Sequence, residues 1–114
     1  MATQTPPVRQ AFCLFAERHD LPPNSGPIFL SYDWERKTGR VNLVTYYQAL
    51  NLLIHGEDVW LYATGLTAAL SELIGRLVPV WRPTRHGSLF VAHYDHQRQE
   101  YFYVPVLPAK PKSA

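Results

Sequence analysis

The stretch from Arg85 to Val106 constrains the fold of this chain more than any other. Two runs rich in β-branched and aromatic residues, Ser88 to Tyr94 and Glu100 to Val106, flank the polar residues Asp95 to Gln99. Such a pattern predicts a β-hairpin with a loop of about five residues. Side chains alternate across a strand, so Leu89, Val91 and His93 share one side and Phe90, Ala92 and Tyr94 the other. In the second strand, Tyr101 and Tyr103 oppose Phe102, Val104 and Val106. If the side bearing Phe102 meets the rest of the core, Tyr101, Tyr103 and His93 stand together on the other side.

A second hairpin is expected over about 28–44. Ile28, Leu30, Tyr32 and Trp34 alternate with Phe29, Ser31, Asp33 and Glu35, and Val41 and Leu43 return after Arg36-Lys-Thr-Gly39. Gly39 is the natural residue for a positive φ in the turn. The charges around that turn (Arg36, Lys37 and Arg40 beside Asp33 and Glu35) balance one another, as a solvated tip requires.

Helical spacing fills the remainder. Thr5-Pro6 reads as an N-cap with proline in the first turn, and Val8, Ala11, Phe12 and Phe15 recur every three or four residues, so a helix is expected to about His19. The prolines of Leu21-Pro-Pro-Asn-Ser-Gly-Pro27 end it. Thr45-Tyr-Tyr-Gln48 has the form of a capping box, and Gly56 sits where a helix-ending glycine belongs. Residues 59–63 fit two readings. By composition Val59-Trp-Leu-Tyr-Ala63 is a buried strand. Yet Trp60, Ala63, Thr67, Leu70, Ile74 and Leu77 keep helical spacing, and Glu57 and Asp58 suit a helix start. The helical reading is preferred here, giving a helical pair around His55-Gly56. Val78-Pro-Val-Trp81 is expected as a short edge strand.

These elements predict an α+β fold. One antiparallel sheet built from the hairpins at about 28–44 and 88–106 carries the N-terminal helix and the helical pair on one face. Residues 1–4 are expected to be disordered, 5–106 to form a single globular domain, and 107–114 to be a flexible tail. At 114 residues the chain is long enough for a core without cross-links. The lone Cys13 excludes an internal disulfide and reads as a small buried hydrophobe. No apolar run is long enough for a membrane span, and no signal peptide opens the chain, so a cytoplasmic location is expected and no membrane partner.

The net charge of +2 and a charged fraction of only 18% argue against strongly electrostatic binding to nucleic acid. A surface poor in charge and rich in aromatics points instead to protein contact and self-association, most simply as a homodimer. The expected binding surface is His93, Tyr101 and Tyr103 with the loop arginines Arg82, Arg85 and Arg98. The same surface supports a second reading, single-stranded nucleic acid stacking on the tyrosines. A third takes His93, Asp95 and His96 as metal ligands or acid–base groups, but their spacing matches no diagnostic motif. No nucleophile motif or phosphate loop accompanies them. No cofactor is expected, and nothing in the sequence marks an enzyme.

Overall fold

The computed structural model describes residues 8–15, 26–63 and 67–110. They form a small α+β protein with two helices, a five-stranded mixed sheet and a separate two-stranded antiparallel hairpin. A 3-10 turn, Val8–Gln10, leads into β1 (Ala11–Cys13). Strands β2 (Gly26–Pro27), β3 (Phe29–Asp33) and β4 (Thr38–Val41) follow, then α1 (Leu43–Ile54). The chain continues through β5 (Val59–Tyr62), α2 (Thr67–Leu77), β6 (Leu89–Asp95) and β7 (Glu100–Leu107). The large sheet runs in the order β2-β1-β5-β6-β7, parallel throughout except for β7.

The two hairpins therefore do not build one sheet, contrary to the sequence expectation. β3 and β4 pair only with each other, while β7 extends a parallel sheet whose other members the helical spacing had hidden. Ala11–Cys13 is a strand, not part of a helix over 5–19. All three residues are at most 4% exposed, because β1 lies between β2 and β5 with both faces covered. A strand buried on both sides reads as an unbroken apolar run, which has no period to recognise. The proposed start and end of that helix, at 5–7 and 16–19, lie outside the described residues.

The expected helical pair around His55-Gly56 is not formed either. Helix α1 ends at a Schellman motif: the Gly56 amide donates to the Leu53 carbonyl and the Glu57 amide to that of Leu52, with Gly56 at φ +84°. Beyond it comes strand β5, not a helix, so 59–63 follows the strand reading over Val59–Tyr62. Glu57 and Asp58 do not cap a helix. Glu57 pairs with Arg9 at 3.0 Å, and the Asp58 carboxylate accepts the Ser88 amide at 2.8 Å, tying the starts of β5 and β6 together. The capping box is also displaced. Asn42 is the N-cap residue, its carbonyl accepting the Tyr46 amide, and Thr45 is buried within the helix.

Both helices cover the same side of the sheet. Ala49 and Leu53 of α1 and Ala69, Leu73 and Leu77 of α2 pack on Phe12, Leu61, Val59, Val91 and Leu89. The core holds a void of only about 10 Å3, about the room one water needs. Val78–Val80 form a turn that leads into Trp81, not an edge strand over Val78–Trp81. The Val80 and Trp81 amides both return to the Leu77 carbonyl, and the Trp81 indole N–H donates to the Gly87 carbonyl at 2.8 Å. Leu107, placed by the sequence at the start of a tail, closes β7 and is buried. The Ala109 amide donates to Ser88 Oγ and the Lys110 amide to the Pro83 carbonyl.

The two hairpins share one turn. In each an aspartate ends the first strand, and its Oδ1 accepts the amides two and three residues on: Glu35 and Arg36 from Asp33, Gln97 and Arg98 from Asp95. Each loop closes on a residue in the left-handed region, Lys37 (φ 54°) or Gln99 (φ 55°). The positive φ thus falls at Lys37 and not at Gly39. Gly39 is needed for another reason, because a Cβ there would overlap the Phe29 ring.

Candidate functional site

The loop of the second hairpin has four residues, 96–99, with Asp95 opposite Glu100. A five-residue loop would have set His93 opposite Tyr101. Shortening it by one shifts the register, and a shift of one exchanges the faces. His93 consequently faces Phe102, their ring centroids 5.5 Å apart, on the helix side of the sheet. Tyr101 and Tyr103 pair with Tyr94 and Ala92 on the opposite side.

That opposite side is an aromatic surface. One cross-strand row runs Pro27, Cys13, Tyr62, Ala92, Tyr103; the next runs Ala11, Trp60, Phe90, Pro105; Tyr94 and Tyr101 begin a third. Trp60 and Phe90 stack at 5.2 Å with ring planes 15° apart. Tyr62 meets Tyr101 edge-on at 4.7 Å, and Tyr101 meets Tyr94 at 5.2 Å. His96 closes the series against Tyr94 at 5.0 Å. None of the residues in these rows carries a formal charge. Tyr62, Cys13, Ala11 and Ala92 are buried, while Trp60, Phe90, Tyr101 and Tyr103 are half-buried and Tyr94 is 42% exposed.

The hydroxyls of Tyr62 and Tyr103 lie 3.1 Å apart. Burial raises the Tyr62 pKa well above the ordinary tyrosine value, and the Tyr103 hydroxyl adds to the rise. Tyr62 is held as the neutral phenol, a hydrogen-bonding group rather than a proton donor near neutral pH.

The expected site residues are only partly brought together. Tyr101 and Tyr103 share the aromatic face; His93 does not, and His96 takes its place. Arg82 and Arg85 lie in the loop before β6, whereas Arg98 lies in the turn after it. The length of β6, roughly 20 Å at the usual rise per residue, separates them. Arg82 donates to the Pro79 and Trp81 carbonyls, and Arg98 sits 3.8 Å from Asp95. The proposed ligands are dispersed as well. His93 rests on Phe102, Asp95 is occupied by the turn amides, and His96 leans on Tyr94. Among the described residues no group of three or more His, Cys, Asp or Glu side chains is placed to hold a metal ion.

Sequence reasoning missed Trp60, Tyr62 and Phe90 as members of this face. The signal was present: read as a strand, Val59-Trp-Leu-Tyr alternates aromatic with aliphatic residues. A second concavity lies beside α1, lined by Arg9, Gln48, Asn51, Leu52, His55 and Glu57. It is open, and three of its polar side chains are engaged locally: Arg9 with Glu57, and His55 Nδ1 with the Asn51 carbonyl at 2.7 Å. No helix among the described residues is long and apolar enough to cross a membrane. Comparison with protein-family models, with curated proteins and with solved structures finds no match to this chain.

Proposed function

We propose that this is a small non-enzymatic binding protein, acting as a homo-oligomer, whose aromatic sheet face makes contact with protein. One observation carries the reading: the helices cover one side of the sheet, and the other presents Trp60, Phe90, Tyr94, Tyr101 and Tyr103 as a contiguous, partly open surface without formal charge. Tyrosine and tryptophan are enriched in interface centres, where charge is depleted. The separation of Arg82 and Arg85 from Arg98 weakens the nucleic-acid alternative, which needs cations beside the stacking rings.

Light scattering on a size-exclusion column tests the assembly, with a clean monomer at high micromolar concentration as the overturning result. A photo-crosslinking amino acid in place of Tyr94 tests the face. Protein adducts are expected from position 94 and not from Gly75, which lies exposed on α2; equal yields from both positions count against the face.

A further inference from the structure

We infer that two copies of this chain pair edge to edge through β7, forming a continuous two-fold sheet with both aromatic faces on one side. The inference rests on the homo-oligomeric reading above and adds where the copies meet. β7 is the longest described strand and an edge of the sheet, and no described strand occupies its outer side. Such an edge presents unpaired N–H and C=O groups, which natural proteins blunt with charge, bulges or short length. Here the strand Glu100–Leu107 carries one charge, at its first residue, and Pro105 is its single non-donor. On its helix side Phe102 and Val104 remain 48% and 37% exposed, because neither helix reaches that far.

A second copy fits this edge for three reasons. Antiparallel self-pairing about a two-fold axis sets Phe102 and Val104 of one copy against the same apolar strip of the other. It also carries Glu100 of each strand towards Lys110 of the other copy. Neither residue has an ion-pair partner within the described chain, and Lys110 is exposed, its amide held by the Pro83 carbonyl in the loop before β6. At the opposite sheet edge the described residues form only the two-residue strand Gly26–Pro27. Pairing about a two-fold axis uses the β7 edge of both copies, so it closes at two and does not propagate. An interface this narrow falls below the standard size, and a micromolar dissociation constant is expected.

The test is sedimentation or light scattering of the full chain over a concentration series, with circular dichroism as the check on folding. Wild type should be a dimer. Val104→Lys, at an exposed position, should raise the dissociation constant tenfold or more, while Tyr94→Lys on the aromatic face leaves it unchanged. Glu100→Lys should weaken the dimer several-fold, and adding Lys110→Glu should restore it, because the charges meet between copies. A dimer that ignores Val104→Lys or the charge exchange and fails on Tyr94→Lys overturns the edge pairing, leaving the homo-oligomer and its aromatic contact face intact. A wild-type monomer overturns both.

Discussion

The hydroxyls of Tyr62 and Tyr103 meet at 3.1 Å although the residues belong to strands separated by β6. Ala92, between them in the row, is small enough to let the two phenols reach across it. This contact ties β7 to the middle of the sheet on the side the helices leave open.

It also predicts a response to alkali. Burial, and then the Tyr103 hydroxyl, raise the Tyr62 pKa, so the folded state holds a proton that the unfolded chain releases near pH 10. The stabilisation from keeping this phenol neutral is full below about pH 10 and is lost as pH rises towards the folded value. Tyr62→Phe should cost about 0.5–1.5 kcal/mol near neutrality for the lost hydrogen bond. Its melting temperature should then fall less steeply than wild type above about pH 10. Parallel slopes for the two proteins would refute the assignment.

Glycine substitutions should separate sharply. At Gly87 a Cβ would fall on the backbone carbonyl of Glu57, and neither backbone can yield without breaking the start of β5 or β6. Gly87→Ala should therefore cost several kcal/mol, beyond the 1–3 kcal/mol usual for overpacking. At Gly75 on α2 a Cβ meets nothing within 4 Å. Gly75→Ala should stabilise by about 0.5–1 kcal/mol, as helix propensity requires. Urea midpoints of the two variants, moving in opposite directions, are the check.

Glu72 fastens the small hairpin to α2. Its Oε1 accepts the Gly39 amide at 2.8 Å and the Thr38 hydroxyl at 3.2 Å, while Oε2 receives Arg76. Glu72→Ala leaves the Gly39 amide half-enclosed without its acceptor and should cost about 1–3 kcal/mol. Amide exchange read by mass spectrometry should show the loss first in β3 and β4. Uniform acceleration across the chain would instead mean that the hairpin is not a separate docking unit.

The shared turn makes a prediction at Gln99. A side chain in the left-handed region costs about 1 kcal/mol that glycine does not pay. Gln99→Gly should raise stability by up to about that amount, partly offset by the freer unfolded chain. Asp95→Ala, which removes the acceptor for two amides, should lower stability by about 1 kcal/mol. Thermal melts of both variants decide the matter, and a neutral Asp95→Ala would show that the loop needs no such anchor.

How much of this was legible depended on whether a segment faces water. The hairpins at β3–β4 and β6–β7 were readable because in each a polar turn joins two runs of strand-forming residues. The register of the second was not, although Asp33-Trp-Glu-Arg and Asp95-His-Gln-Arg repeat one turn pattern that sets a four-residue loop. Without that length, His93 was placed with Tyr101 and Tyr103. Strands β1 and β5 were hidden more deeply. Ala11-Phe-Cys and Val59-Trp-Leu-Tyr are apolar on both sides, and short runs of that kind fit a helix as well as a strand.

The sequence alone determined the local pieces: the two antiparallel turns, the glycine stop of α1 at Gly56, and the aromatic content that some surface had to carry. Only the tertiary structure decided which residues share that surface. Parallel pairing joins β1, β5 and β6 across long sequence separations, and no local pattern encodes such a partner. Once those strands lie side by side, with both helices on one face, Trp60 and Tyr62 come to stand beside Phe90, Tyr101 and Tyr103. A face is a property of the assembled sheet, set by register and coverage, and each of these is chosen by packing.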